Sequence, residues 1–194
     1  MSSNGEQQPS CRYFPTPFNL FAQQAGLNRL IPDIQLVDSI NWNPNVTQNC
    51  DWVPGCYYLM RKELISEVGL FDPIYFLYYE EVDHCYAAKK AGWDVTYFAD
   101  TSVTHIGGES AKSIGKITSS GKQLNQLQAE SELIYFRKNN GLLICIIHLL
   151  LIILADTLQT IKNLLKLRLI KPLTMTILML KTAWRTRFGK LATR

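Results

Sequence analysis

Apolar positions fall at helical spacing early in the chain and condense into near-continuous runs towards its end. Residues 1–10 are polar and read as a disordered terminus. In residues 11–31, Phe18, Leu20, Phe21 and Leu27 supply one apolar side. Thr16 offers an N-cap oxygen, Pro17 fits the first helical position and Gly26 a stop, so a short helix is predicted there. Residues 32–51 carry Pro32, Asp33, Asn41, Asn43, Pro44, Asn45 and Asn49 and read as loop. Trp52 to Met60 is an apolar, aromatic run interrupted by Pro54-Gly55, which predicts a buried strand with a close backbone approach. Arg61 to Val68 predicts a helix closed by Gly69. After the aromatic stretch Phe71 to Tyr79, a helix is expected from about Glu80 to Ala91. Its first turn is acidic and its last holds Lys89-Lys90, as the helix dipole favours. Val95 to Phe98 and Ser102 to Ile106 are β-type runs, Gly107 to Lys122 reads as a mobile loop, and Gln123 to Lys138 is helical.

Leu142 to Ala155 is apolar except for His148, and about twenty such residues are needed to cross a bilayer. Continuing the run past Asp156 would bury a charge. Thr157 to Ile170 sets Leu158, Ile161, Leu164, Leu165 and Leu169 opposite Lys162, Lys166 and Arg168, an interfacial pattern. Leu173 to Leu180 is a second apolar piece, followed by Lys181, Trp184, Arg185 and Arg187.

Charge sharpens this division. Residues 1–136 hold nine Lys/Arg against fifteen Asp/Glu, whereas residues 137–194 hold eleven against the single acid Asp156. A basic tail is drawn to anionic surfaces. Its wealth of Leu and Ile fits a membrane rather than nucleic acid. A hydrophobic content of 47% in 194 residues argues against general disorder. Five cysteines, Cys11, Cys50, Cys56, Cys85 and Cys145, form no C-x-x-C pair and suit a reducing compartment. The first ten residues lack an export pattern, so the body is expected in the cytoplasm and the tail on the cytoplasmic face of a membrane.

The candidate chemistry lies between Trp52 and Ser110. Glu80, Glu81 and Asp83 put three carboxylates at a helix start beside aromatic residues. A carboxylate there can take a proton from a sugar hydroxyl, and sugars stack on aromatic faces. Equally, acids at a helix start can serve only the dipole. His105, before Gly107 and Gly108, can meet a metal or a diphosphate, or be structural. His84 and His148 read as structural.

The order of motifs is informative. Asp51-Trp52-Val53-Pro54-Gly55 is followed by Met60-Arg61-Lys62-Glu63, then Val68-Gly69-Leu70-Phe71-Asp72, Phe76 to Cys85, Ala91-Gly92-Trp93 and His105-Ile106-Gly107-Gly108-Glu109-Ser110. This succession resembles the rhamnosyltransferase-like subgroup of the family 2 glycosyltransferases, over about residues 10–140. Arg12-Tyr13-Phe14-Pro15-Thr16-Pro17 and Tyr135-Phe136-Arg137-Lys138 are similar to that subgroup too. The resemblance implies an α/β fold, the C-terminal part of a GT-A domain over residues 11–138, with residues 139–194 as a helical membrane-associated tail. It implies polysaccharide biosynthesis by inverting transfer from a nucleotide-diphospho-sugar to a glycan or lipid-linked acceptor. Glu81 falls at the catalytic base, Glu80 and Asp83 at supporting acids, His105 at a contact to metal or diphosphate. Trp52, Gly55, Gly107 and Gly108 fall at substrate-binding positions. Mg²⁺ or Mn²⁺ is the implied cofactor.

Two departures accompany the resemblance. The family's usual base is Asp, one methylene shorter than Glu81. Its nucleotide-binding half, which ends in D-x-D, has no counterpart in this sequence. The expectation is a truncated transferase, with a second chain supplying that half as a possible partner; the alternative is a donor-incompetent, membrane-associated sugar-binding module.

Overall fold

A computed structural model of the chain describes residues 5–29, 31, 34–38, 42–105, 121–166 and 173–193. Its elements are α1 (Pro17–Ala25), a 3-10 turn (Leu27–Arg29), β1 (Gln48–Cys50), α2 (Lys62–Val68), α3 (Glu80–Lys90), β2 (Val95–Tyr97), α4 (Gly121–Leu165) and α5 (Thr174–Arg185). They fall into two compact units. The first comprises residues 1–14, 38–73 and 78–125; the second comprises 15–37, 74–77 and 126–194. The division expected at 138/139 thus meets a unit boundary at 125/126, and α1 belongs with the later helices.

In the first unit, β1 and β2 pair antiparallel, with Gln48 opposite Tyr97 and Cys50 opposite Val95. β1 arises within the segment expected to be loop. The strand expected over Trp52 to Met60 is absent: only Trp52 makes a bridge, to Arg12. Pro54 has no N–H to give a ladder, and the chain turns at Gly55-Cys56 instead. Residues 102–105 form no strand either. Trp52 is buried, donates its indole N–H to the Tyr13 carbonyl at 2.9 Å, and lies under the Arg12 guanidinium, 4.9 Å from the ring centre. Lys89, in the last turn of α3, reaches the Cys50 carbonyl at 2.9 Å and Asp51 at 3.4 Å, which fastens α3 to the end of β1.

α3 is also held at its middle. His84 is buried, with Nδ1 2.9 Å from the Tyr58 hydroxyl and Nε2 3.1 Å from the Gly69 carbonyl. The carbonyl can only accept, so Nε2 carries the proton and Nδ1 accepts from Tyr58. The rings of Tyr58 and Phe71 meet the imidazole edge-on. His84→Ala would leave the Gly69 carbonyl and the Tyr58 hydroxyl without this partner. A loss of about 2–3 kcal/mol is expected, read by urea unfolding, with His84→Gln recovering part of it.

The second unit begins with the predicted helix. Thr16 Oγ1 accepts from the Asn19 N–H at 3.1 Å and Asn19 Oδ1 accepts from the Thr16 N–H at 2.8 Å, a reciprocal cap. Gly26 ends α1 with φ +73°. Gln159 donates to the Gln24 carbonyl and so joins α4 to α1.

α4 is interrupted at Gly141, whose φ of +85° and ψ of 178° lie outside the helical region. The arms on either side fold back on each other. Glu132 Oε1 lies 2.6 Å from His148 Nε2, and the Phe136 ring centre 4.4 Å from that of His148. In a straight helix, sixteen residues would set the two about 24 Å apart. Asp156 does not sit idle in an apolar run: its Oδ2 accepts the Thr176 N–H at 2.8 Å, in the first turn of α5. A carboxylate there offsets both the unpaired N–H groups and the positive end of the dipole. Gly189 then passes against the first arm, and Thr193 donates its N–H to Glu130 at 3.0 Å. Among the described residues one helix, Gln123–Leu165, is long and apolar enough to cross a membrane.

Candidate functional site

α3 sets out from a strained entry. Tyr78 and Tyr79 both have φ of +69°, a left-handed conformation that costs an L-residue about 1–2 kcal/mol, and Tyr79 makes no side-chain cap. Three acids then share the first turn, Glu80, Glu81 and Asp83. Strain of this kind is kept where the surrounding structure fixes a particular side-chain placement.

Glu81 is the acid that this entry positions. Its Oε1 accepts a long hydrogen bond, 3.4 Å, from the Gly55 N–H. Its Oε2 is sealed from solvent and has no hydrogen-bond partner among the described residues, and the same holds for Oε2 of Glu80. Burial pushes the Glu81 carboxyl above its ordinary range, and repulsion from Glu80 adds to this; N–H donors, Gly55's among them, and the charge of Arg12 pull the other way. The result is a carboxylate with an unused acceptor oxygen and a heightened avidity for a proton. Asp83, the second acid of the motif, is buried.

Gly55 and Glu81 meet as neighbours. A Cβ at Gly55 would stand 3.9 Å from the Glu81 side chain, ordinary contact rather than a clash. Trp52 shows little free surface, since its indole nitrogen is bonded and the Arg12 guanidinium lies over its ring.

A cavity of about 520 Å³ opens in the same unit. Tyr57, Tyr58, Tyr97, Phe98, Arg12 and His105 are on its wall, as are Pro54 and Cys56, the two neighbours of Gly55. Glu81 is not. His105 Nδ1 lies 3.2 Å from Gln8 Oε1. With the amide oxygen accepting, Nδ1 carries the proton and Nε2 keeps its lone pair. The structure therefore joins Glu81 to Gly55, and His105 to the aromatic cavity, but does not bring Glu81 and His105 onto one wall. Gly107 and Gly108 lie outside the described residues.

Nor do the described residues compose a metal site. No three His, Cys, Asp or Glu side chains among them come together to hold an ion. The described residues offer no such set to Mg²⁺ or Mn²⁺.

Arg12 is the contributor that sequence reasoning left without a role. It bridges to Trp52 and Asp38, pairs with Asp38 at 3.0 Å, and acts electrostatically on Glu81. Its partners lie 26 to 69 positions away, beyond any local pattern; only its place in the Arg12 to Pro17 motif marked it.

Comparison with known proteins agrees with the class of chemistry. Over 54 residues the chain is 39% identical to the N-acetylglucosaminyl-diphospho-decaprenol L-rhamnosyltransferase of Mycobacterium tuberculosis, in strains CDC 1551 and H37Rv alike. The match spans 28% of this chain and 18% of the length of those relatives. It relates the chain to glycosyltransferases. No family model matches, and no solved structure does.

Proposed function

We propose that this chain serves the inverting transfer of a sugar from a nucleoside-diphosphate sugar to a hydroxyl of a lipid-linked glycan, with Glu81 as the base. The observation that carries this reading is the Glu81 Oε2, enclosed, unpartnered and on a carboxyl whose proton affinity is raised. The 54-residue similarity supplies the class, and the relatives' own name suggests L-rhamnose and a polyprenyl-diphosphate-linked N-acetylglucosamine as donor sugar and acceptor. The reading takes the chain as the C-terminal part of an α/β GT-A fold acting beside a nucleotide-binding half.

In the proposed step a local opening at the strained Tyr78-Tyr79 entry exposes Glu81 Oε2, which takes the acceptor hydroxyl's proton as the hydroxyl oxygen bonds to the anomeric carbon. The bond from that carbon to the diphosphate oxygen breaks, and the electron pair leaves with the diphosphate. Attack on the face opposite the leaving group inverts the anomeric configuration. Base assistance of this kind is worth about 10²–10⁴-fold. His105, on the wall of a cavity that Glu81 does not line, would accept a hydrogen bond from a hydroxyl of the donor through Nε2, and the acceptor's proton is left to Glu81.

A second reading, a sugar-binding module without transfer, draws on the cavity, whose wall carries three tyrosines and His105 but not Glu81. Calorimetric titration of the detergent-solubilised chain with UDP, GDP and dTDP, each with and without Mn²⁺, separates them. Titrated together with a protein that supplies the nucleotide-binding half, nucleotide binding tighter than about 1 mM, weakened in His105→Ala, is expected of a transferase. Binding of rhamnose or N-acetylglucosamine by the folded chain, with no nucleotide bound even in the presence of that half, would favour the module.

A further inference from the structure

The exposed face of the helical unit has a composition that neither of these readings uses. Along the second arm of α4, residues at three- or four-residue spacing share one side: Leu143, Ile147, Leu150, Leu154, Leu158, Ile161 and Leu165. All are exposed, from 37% at Ile147 to 70% at Leu143 and 81% at Leu165, and no polar residue interrupts them. The stripe is about 33 Å long. α5 adds a shorter one, Leu173, Ile177, Leu180 and Trp184, with Trp184 83% exposed. Soluble monomers rarely leave so long an apolar surface uncovered.

The opposite side of the same arm is occupied. Cys145, His148, Leu149, Ile152 and Ala155 are buried, His148 is bonded to Glu132, and Asp156 caps α5. If this arm crossed a bilayer, Glu132 and Asp156 would enter hydrocarbon with it, or the bonds they make would break. Both are costly, and a helix lying flat at the surface incurs neither. Lys162 and Lys166 follow Ile161 and Leu165 directly in the chain, Lys181 and Arg185 adjoin Leu180 and Trp184, Arg187 and Lys190 come next, and all six are exposed. They belong to the segment that holds eleven basic residues and one acid. Long basic side chains at this level reach outward to headgroups while their stems stay in the apolar layer, and Trp favours the same depth.

We propose that the second arm of α4, residues 142–165, and α5 form a docking surface for an anionic lipid membrane, with the α4 arm lying in the plane of the interface rather than across the bilayer. The leucine stripe enters the acyl boundary, Trp184 anchors α5 beside it, and the flanking lysines and arginines meet lipid phosphates. The surface does not depend on Glu81 or on any transfer of sugar.

The test uses the full chain and vesicles of phosphatidylcholine alone or mixed with phosphatidylglycerol. Partition onto the mixed vesicles is expected to exceed that onto the neutral ones by at least about tenfold, and to fall in high salt. Leu150→Glu with Leu154→Glu should reduce it by a similar factor. If that pair unfolds the unit, the salt dependence of the unaltered chain still decides. Orientation is read by spin labels at Leu143→Cys, Leu154→Cys and Leu165→Cys in a Cys56→Ser background, Cys56 being the exposed cysteine. Three equal, shallow depths are expected. A label at 154 much deeper than those at 143 and 165 would overturn the in-plane placement. Equal partition onto both vesicle types, or self-association without lipid binding, would overturn the membrane as the partner.

Discussion

Glu81→Gln is expected to lower sugar transfer by about 10²–10⁴-fold while making the protein more stable at neutral pH. The two effects have one cause. The native fold holds the Glu81 carboxyl partly buried beside Glu80, and so raises its affinity for a proton. For an acid with a raised native pKa, the protonated form is the one the fold tolerates. The strain is therefore absent below the unfolded value of about 4.3 and grows as pH rises through the higher native value. Gln mimics the protonated form at every pH. Its melting temperature should exceed that of the unaltered chain at pH 7.5, and the gap should close towards pH 4. A variant that is inactive but less stable at pH 7.5 would mean that Glu81 serves the helix N-terminus instead, where acids stabilise. Glu81→Asp asks a further question. It retains the charge but withdraws it by about 1 Å, so a loss of up to 100-fold with little change in stability is expected if reach matters.

The largest effect on stability is expected far from the acids, at Gly189. A Cβ built there would stand 2.2 Å from the Leu133 carbonyl oxygen and 2.6 Å from its carbon, with φ at +75°. These are backbone atoms of the first arm of α4 and cannot swing aside as a side-chain tip would. The Gly189 N–H is also committed, donating to Thr186 Oγ1 at 3.0 Å. Gly189→Ala should cost more than about 3 kcal/mol, a fall in melting temperature of roughly 6–12 °C, by displacing the segment that ends on Glu130. Gly92→Ala makes the control. Its φ is +88° but nothing lies within 4 Å of the added carbon, so only the conformational cost of about 1–2 kcal/mol is expected. Equal losses at the two positions would mean that the contact of Gly189 with Leu133 carries no weight.

Local signals made several elements readable in the sequence. Thr16, Pro17 and Gly26 specify α1 within a few bonds of themselves, and each is found in the role its chemistry allows. The same holds for α2, closed by Gly69, and for α3, with acids first and lysines last. The errors came where distant partners decide. Trp52 to Met60 has a strand's composition, but its backbone turns at Gly55-Cys56 and only Trp52 makes a bridge, forty residues away at Arg12. β1 is built from Gln48, Asn49 and Cys50 at the end of a stretch rich in turn formers, and is held by β2. The helical stretch before residue 138 and the apolar run after 142 were both legible. That the second doubles back on the first depends on Glu132 meeting His148, which no periodicity announces.

The site was legible to a similar degree. Acids beside aromatic residues suggested Glu81, and the motif order narrowed the choice. The long Gly55 hydrogen bond, the unpartnered Oε2 and the opposing influence of Arg12 are properties of three dimensions.

The most direct test follows the sugar itself. Membranes containing the chain, together with any protein that supplies a nucleotide-binding half, would be given a radiolabelled nucleoside-diphosphate L-rhamnose of defined anomeric configuration and a polyprenyl-diphosphate N-acetylglucosamine acceptor. The expected result is label in the lipid fraction with the anomeric configuration inverted, as read by NMR, and its loss in Glu81→Gln. Transfer with retained configuration, or transfer undiminished in Glu81→Gln, would contradict the role of Glu81 as the base.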